Sequence, residues 1–239
     1  MLKLMITGRR RPGQSLRANR RHMKDVHGAL VLENVAVDPT QAPHRYVQNH
    51  AFDCIYGAGA GPLSIPRDFV TEVWFPDGGT AKAARESAFY LEKLKDDEAN
   101  MVDDASVIGV PCFEKLISTD RTVVACPIKV FAMLSRASDS GDEAFEAIWK
   151  PATAGLGGAS QHVVSRPVAK TPIGWVDSFW VADEEAGYLL ADRYLAEVVE
   201  PLSRAGLLGP EGYTVVLARQ YVLHAGDKQF DVRLAAEVK

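Results

Sequence analysis

Cysteine is scarce in this 239-residue sequence: Cys54, Cys112 and Cys126 are its only three, and none stands in a C-x-x-C spacing. Cysteines this few and scattered argue against a disulfide-stapled fold and against a structural zinc site. They predict reduced, mostly buried thiols in a cytoplasmic protein. Excess positive charge is also missing, because the formal net charge is -4. Domains that bind nucleic acid usually carry net positive charge, so no nucleic-acid partner is expected.

Long hydrophobic runs are absent as well. No apolar segment approaches the ~20 residues that a membrane span needs, so no membrane association is expected. The opening segment 1–7 is too short for the apolar part of a secretory signal. The composition is otherwise that of a globular protein, with room for one large domain or two of roughly 110–120 residues.

A nucleotide-binding fingerprint is missing too. Gly57, Gly59 and Gly61 spell G-A-G-A-G, but Pro62 and Pro66 follow and no helix begins there. The dinucleotide fingerprint needs a strand that feeds directly into a helix whose N-terminus holds the pyrophosphate. We therefore expect no nicotinamide, flavin, metal or other cofactor. The glycine-rich segment is interpreted as a connection, with a lid over a pocket as the alternative.

What the sequence does contain is one order of elements used twice. Hydrophobic periodicity predicts β-α-β-β-α-β in each half, which is the ferredoxin-like pattern. In the first half these are strand 2–7, helix 15–32, strands 44–53 and 69–75, helix 80–100 and strand 107–117. In the second half they are strand 123–134, helix 142–154, strands 160–168 and 173–182, helix 184–205 and strand 213–223.

This repeated order predicts an α+β fold with domains 1–120 and 121–239. Two such sheets can pair and remove their exposed edges, so we expect a dimeric α/β-barrel built within one chain, an internal pseudo-dimer. Local similarity supports the repeat, because "VTEVWFPD" (70–77) resembles "VDSFWVAD" (176–183). Two unrelated α+β domains are the alternative.

A histidine occupies an apolar helix face in the first half. At ~100° per residue, Met23, His27 and Leu30 share one face of the predicted helix, and His22 lies on the flank. Gly28 is typical of a helix end, where the macrodipole favours a charged histidine while burial opposes it. The two effects predict a pKa near neutral for His27. A structural histidine in the core is the alternative.

The following strand carries polar side chains on one face. Tyr46, Gln48, His50 and Phe52 alternate onto the same side of "HRYVQNHAF". Each polar tip needs a hydrogen-bond partner if it is buried, which is unusual for a pure packing surface. The face predicts a ligand site, with a polar edge strand facing water as the alternative.

These segments resemble a known family. "RRRPGQSLRANRRHMKDVHGALV" followed by "RYVQNHAF" is similar to the opening of the EthD family of dimeric α/β-barrel proteins. That opening has an Arg-rich strand end, a Pro-Gly turn, a helix with a His-Gly-Pro-Leu motif and a Tyr-x-x-x-His strand. Ala29 stands where the motif usually has proline. The match covers about the first 55 residues, and the chain would be a tandem-repeat member.

The resemblance implies a cofactor-free acid/base pocket between a sheet and its helices. Carried over by position, His27 would move a proton, Tyr46 would hold an enolate or phenolate oxygen, and His50 would be the second acid or base. Gln48 would contact the substrate, and Phe52 or Trp74 would supply an apolar wall.

The second half departs from this pattern. Thr153 stands at the position of His27, and His162 and Arg166 stand near the positions of Tyr46 and His50, so one working pocket per chain is expected. Buried Asp177 is expected to pair with Arg166 or Arg193.

The function expected from the resemblance is that of a lyase or isomerase without a cofactor. Relatives include isomerases, polyketide cyclases, decarboxylases and dehydratases, so the expected substrate is small and aromatic, phenolic or polyketide-like. One alternative is an accessory protein that binds a reactive intermediate, and another is a barrel-type monooxygenase. A haem enzyme would need His162 or His224 as axial ligand, and neither lies in a ligand motif. The sequence leaves homodimerisation open.

Overall fold

The computed structural model describes residues 1–58, 61–120, 126–138 and 141–226. Eight strands form a closed barrel in the order β1-β3-β2-β8-β5-β7-β6-β4, which confirms the predicted α+β barrel. The strands are β1 Leu2–Gly8, β2 Arg45–Tyr56, β3 Phe69–Phe75, β4 Ile108–Thr119, β5 Ile128–Arg136, β6 Gln161–Pro167, β7 Trp175–Val181 and β8 Leu208–His224. Among the described residues, no helix is both long enough and apolar enough to cross a membrane.

The helices fall where the sequence predicts them, with differences in their internal structure. Three contain a π-helical turn, in which hydrogen bonds join residues five apart instead of four. They are α1 (Leu16–Arg21, π-turn His22–His27, Gly28–Val37), α2 (Gly78–Glu86), α3 (π-turn Tyr90–Leu94, Lys95–Met101), α4 (Asp142–Gly155) and α5 (Glu184–Tyr194, π-turn Leu195–Val199, Glu200–Arg204).

Side-chain caps fix the helix starts. Ser15 accepts a hydrogen bond from Ala18 N at 3.1 Å and so opens α1. Asp77 caps α2 and Asp183 caps α5 in the same way, so each aspartate fixes the start of its helix. The predicted helix 80–100 is instead two helices, because Ser87 adopts an extended conformation and its hydroxyl accepts from Tyr90 N.

By internal contacts the chain divides into two units. The first comprises Met1–His50, Arg67–Phe113 and the end of β8 from Gln220, and the second comprises Ala51–Pro66 and Glu114–Arg219. Strand 123–134 was expected in the second half, but 123–125 lie outside the described residues and β5 begins at Ile128. Gly59 of the G-A-G-A-G segment also lies outside them.

Each unit has an antiparallel sheet with the same pairing at its centre. In the first unit Lys3 on β1 and Arg45 on β2 are both the partners of Trp74 on β3. In the second unit Lys129 on β5 and Gln161 on β6 are both the partners of Trp180 on β7. The register therefore places the two tryptophans at equivalent positions.

The second unit contains the larger apolar core. Helices α4 and α5 pack on one face of β5, β7 and β8, where buried Phe145, Leu190, Val198 and Leu217 belong to one cluster. In the first unit the side chains between the helices and the sheet form smaller clusters, around Tyr46 and around Met23.

Gly28 does not end α1, as the sequence suggested, because its φ is -59° and the helix continues to Val37. A Cβ built on Gly28 would lie 2.7 Å from Leu223 Cδ1 and 3.2 Å from the Met23 carbonyl oxygen. The glycine is therefore required by close packing. His27 lies inside the helix, away from the negative end of the macrodipole.

We expect Gly28→Ala to lower the free energy of unfolding by about 1–3 kcal/mol, because the added methyl group overpacks this contact. Gly155→Ala is the matched control, since nothing lies within 4 Å of its Cβ position. There we expect a gain of about 0.5–1 kcal/mol from reduced backbone entropy. Urea denaturation of both variants measures the difference. Equal changes in the free energy of unfolding would show that the space at Gly28 admits a methyl group.

Candidate functional site

The candidate site is a cleft in the first unit, between the outer face of β1, β2 and β3 and the helices α1 and α3. It consists of a cavity of about 500 Å³ and an adjoining one of about 100 Å³. Both are lined by Leu4, Ile6, His27, Tyr46, Thr71, Arg85 and Glu98. We call this the first-unit cleft. Most of its remaining wall is apolar, which suits a flat, largely hydrophobic ligand.

The π-turn in α1 brings two histidines to one carboxylate. His22 Nε2 lies 2.7 Å from Asp97 Oδ1, and His27 Nδ1 lies 2.9 Å from Asp97 Oδ2. In an α-helix, residues five apart point about 140° away from each other. The wider π-turn brings them towards one face, so both imidazoles reach Asp97 on α3.

The environment of His27 favours its neutral form. Burial lowers the pKa of His27, and the hydrogen bond to Asp97 opposes that shift without cancelling it. A neutral imidazole that contacts a carboxylate through Nδ1 carries its hydrogen there and donates it. The free ring nitrogen is then Nε2, which has no hydrogen-bond partner among the described residues. This nitrogen carries a lone pair that is available to a ligand in the cleft.

Three side chains of β2 form a hydrogen-bonded row. His50 Nε2 lies 2.9 Å from Gln48 Oε1. Gln48 Nε2 donates to Tyr46 Oη at 2.7 Å and to the Met23 carbonyl oxygen at 2.6 Å. Because Tyr46 Oη accepts from Gln48, the phenol hydrogen is left to donate, and none of the described residues accepts it. Burial raises the pKa of Tyr46, which keeps it a phenol.

His50 lies at the far end of this row. It is 4% exposed, and its ring packs against Tyr221 at 4.8 Å between centroids. The side chains that line the two cavities include His27 and Tyr46 and do not include His50 or Gln48. The structure thus brings His27 and Tyr46 to one cleft and links His50 to it through Gln48.

The two expected wall residues lie elsewhere. Thr71, Val73 and Phe75 of β3 line the first-unit cleft, so Trp74 points to the opposite face, where it packs with Val47 and Val222. Assigning Trp74 to the pocket wall was wrong, because adjacent strand residues face opposite sides. Phe52 belongs to the second unit, where its ring packs edge-on against Tyr188 at 6.0 Å.

Sequence reasoning missed the polar side chains contributed by α2 and α3. Asp97 contacts His27, and Tyr90, Arg85 and Glu98 line the cleft. Tyr90 Oη donates to Glu98 Oε2 at 3.0 Å, and the Arg85 guanidinium stands 4.9 Å from the centre of the Tyr90 ring. Burial raises the pKa of Tyr90 to about 12. An acidic run such as "KDDEAN" (95–100) does not indicate which of its carboxylates faces inward.

In the second unit a buried network replaces the acid/base pair. Asp177 is fully buried and contacts Trp149 Nε1 at 2.9 Å, Tyr194 Oη at 2.5 Å and His162 Nε2 at 2.6 Å. The expected pairing of Asp177 with Arg166 or Arg193 was wrong. Both arginines instead form ion pairs with glutamates, on α4 and α5 respectively.

The Thr153 position, where no second working pocket was expected, also lies beside a cavity. A cavity of about 290 Å³ in the second unit is lined by Thr153, Trp149, Trp175, Arg166 and other side chains. It contains no histidine, so it does not reproduce the chemistry of the first-unit cleft.

His162, one of the two histidines considered as a haem ligand, is not free to bind an iron. It is buried, its Nε2 lies 2.6 Å from Asp177 Oδ1, and its ring stacks on Phe179 with 4.2 Å between centroids. No three His, Cys, Asp or Glu side chains of the described residues are grouped to hold a metal.

Protonation of His50 gives a prediction about stability at low pH. Burial, with the cations Arg20 and Lys24 nearby, lowers the pKa of His50 to about 4. The unfolded chain has a histidine pKa of about 6.5, so between pH 6.5 and 4 it binds a proton that the folded protein does not. The free energy of unfolding therefore falls as the pH falls, by about 2–3 kcal/mol at pH 4.5 from this group.

Urea denaturation at pH 7 and pH 4.5 tests this for the unmodified protein and for His50→Gln, whose amide can still donate to Gln48. The variant should lose less stability on acidification, by about 2–3 kcal/mol. Identical pH dependence in both proteins would contradict the assignment.

Comparison with known proteins finds a family match for part of the chain. A family model described as the EthD domain matches residues 11–105, which confirms the resemblance for that segment. No curated protein sequence matches the chain significantly.

Solved structures share the fold along nearly the whole chain. An anthrone oxidase-like protein is 10% identical with a TM-score of 0.61, and 93% of this chain and 92% of that chain are covered. A proposed monooxygenase from Fusobacterium nucleatum is 10% identical with a TM-score of 0.56, covering 95% of this chain and 94% of that chain. A proposed monooxygenase from Lactobacillus acidophilus is 11% identical with a TM-score of 0.52, and 94% of this chain and 97% of that chain are covered.

Proposed function

We propose that the chain, whose residues 11–105 match the EthD-domain family model, is an enzyme that moves protons on a small, planar, oxygen-bearing substrate held in the first-unit cleft. The observation that carries this proposal is the His27–Asp97 pair. It places a neutral imidazole, oriented through Nδ1, beside a buried phenol donor in a cavity with apolar walls. The preferred reaction class is that of a lyase or isomerase working without a cofactor.

Three residues take part in the proposed proton transfer. His27 Nε2 takes a proton from an acidic O–H or C–H of the substrate, and the electron pair stays on the substrate as a phenolate or enolate. The Tyr46 hydroxyl donates to the resulting oxyanion. The imidazolium then returns the proton to another carbon, which isomerises the substrate, or to a departing hydroxyl group, which leaves as water. Asp97 stabilises the imidazolium between these two transfers.

Gln48 and His50 are positioning residues in this scheme. His50 Nε2–H holds the Gln48 side-chain oxygen, and the Gln48 amide holds the Tyr46 oxygen. Because Tyr46 Oη already accepts from Gln48, the Tyr46 hydroxyl hydrogen is free to donate to a substrate oxygen. A pKa of about 4 keeps His50 neutral at physiological pH, which suits a fixed donor better than a proton carrier.

We further propose that the chain is a tandem repeat whose second half has lost the acid/base site. The equivalent registers of Trp74 and Trp180 support this, as do the matching helix caps Asp77 and Asp183.

We also propose a cytoplasmic location. The three cysteines, all described, form no disulfide, which is compatible with it.

Deuterium exchange tests the reaction class. Phenolic and 1,3-dicarbonyl compounds are incubated with the protein in D2O, and loss of the acidic C–H signal is followed by proton NMR. The proposal expects at least one compound to exchange faster with the protein than with His27→Ala. A panel in which compounds bind but none exchanges would support the alternative, a protein that only binds the ligand.

A monooxygenase is the second candidate, because fold neighbours are named for such activity. It would use the same deprotonation, and the phenolate would then reduce O2, with one oxygen atom entering the oxidised substrate and the other leaving as water. Oxygen consumption that depends on the substrate would favour this candidate, whereas exchange without oxygen consumption would favour the lyase or isomerase.

A further inference from the structure

The cavity of about 290 Å³ in the second unit has the features of a separate ligand site. Its aromatic wall consists of Trp149 and Trp175, whose rings meet edge to face with centroids 4.8 Å apart. Val164 and Ala154 add apolar surface. A volume of this size admits a single aromatic ring with one substituent and is small for a drug-sized ligand.

One wall residue carries an unpaired polar group. Trp175 is 1% exposed, and its Nε1–H has no hydrogen-bond partner among the described residues. A buried donor without an acceptor is unfavourable, so such groups are normally paired. A ligand oxygen in the cavity would accept from this N–H and remove the cost.

The charges around the cavity favour an anion. Arg166 stands over the Trp175 ring at 4.7 Å and is paired with Glu146, which also pairs with Lys150. Arg166 also lies 3.4 Å from Asp142, which does not line the cavity, so the lining itself carries three cations and one carboxylate. Lys115 lines the same cavity, is exposed, and has no ion-pair partner among the described residues. It is the cation available to a ligand.

We propose that this cavity binds a small aromatic carboxylate. The aromatic ring packs against Trp149 and Trp175, the carboxylate contacts Lys115, and a ligand oxygen accepts from Trp175 Nε1–H. The site lies in the second unit and shares no residue with the first-unit cleft, so it stands independently of the proposed reaction.

The test is an NMR titration of the whole chain labelled with ¹⁵N-tryptophan, using benzoate as the probe and benzyl alcohol as its uncharged match. The Trp175 indole signal, assigned by its loss in Trp175→Phe, should move with benzoate and saturate, while the signal of Trp74 in the first unit stays in place. Lys115→Ala should weaken benzoate binding about tenfold, because a hydrogen bond to a charged group is lost. Lys170→Ala, which removes an exposed lysine outside the cavity lining, should leave the affinity unchanged.

Two results would overturn the proposal. The first is a Trp175 signal that does not move when benzoate is added. The second is benzoate binding that is no tighter than benzyl alcohol binding and is unchanged in Lys115→Ala.

Discussion

His27→Ala is expected to lower the rate constant of proton transfer by roughly 10²–10⁴ while leaving the fold intact, because general acid/base catalysis contributes about that much. The side chain lines the first-unit cleft with Nε2 unengaged, so its removal takes away the base and leaves the apolar walls in place. The exchange rate in D2O is the measurement, and circular dichroism checks the fold.

Two further variants separate a catalytic role of His27 from a structural one. His22→Ala is the matched control, since His22 contacts the same carboxylate but does not line the cleft, and its rate should stay near that of the unmodified protein. Asp97→Asn should slow the reaction less than His27→Ala and move the pH–rate inflection to lower pH, because the carboxylate that raises the pKa of His27 is gone. Full activity in His27→Ala would show that His27 is a structural residue and not a catalytic one.

Asp177→Ala is expected to lower the free energy of unfolding by about 3–5 kcal/mol, among the largest effects of any single change in this chain. The substitution leaves Trp149 Nε1–H, the Tyr194 hydroxyl and His162 without their common partner in a fully buried place. Each unpaired buried group adds to the cost. Urea denaturation gives the difference.

Asp142→Ala is the control for this prediction. Asp142 is exposed and pairs with Arg136 at 2.5 Å, and exposed ion pairs contribute about 0–1 kcal/mol. Asp177→Asn should lie between the two, since an amide can accept from one donor but turns its own N–H groups towards the others. A loss for Asp177→Ala no greater than that for Asp142→Ala would show that the network does not stabilise the fold.

Local patterns predicted the elements because the causes of those elements are local. Strand alternation placed Tyr46, Gln48 and His50 on one face, where the structure links them by hydrogen bonds. The aspartates that open α2 and α5 stand at the same place in the two similar segments 70–77 and 176–183. Such signals depend on neighbours a few residues away, which the sequence shows directly.

The centre of the site depends on contacts between distant segments, and there the sequence failed. The place of Gly28 is set by Leu223 on the last strand, so a glycine typical of a helix end instead lies within the helix. The π-turn changes the angle between His22 and His27, and periodicity at ~100° per residue placed them apart. Asp97 was missed because only the packing of α3 against α1 shows which residue it faces.

The spectrum of a bound phenol tests the central claim most directly, namely that His27 and Tyr46 act together on an acidic oxygen in the first-unit cleft. A nitrophenol is titrated across pH with excess protein, and the phenolate is read by its visible absorption. The account predicts that the bound phenol ionises at lower pH than the free compound, and that His27→Gln and Tyr46→Phe each reverse the shift by about one pKa unit or more. An ionisation curve that matches the free phenol, or one that neither substitution changes, would contradict it.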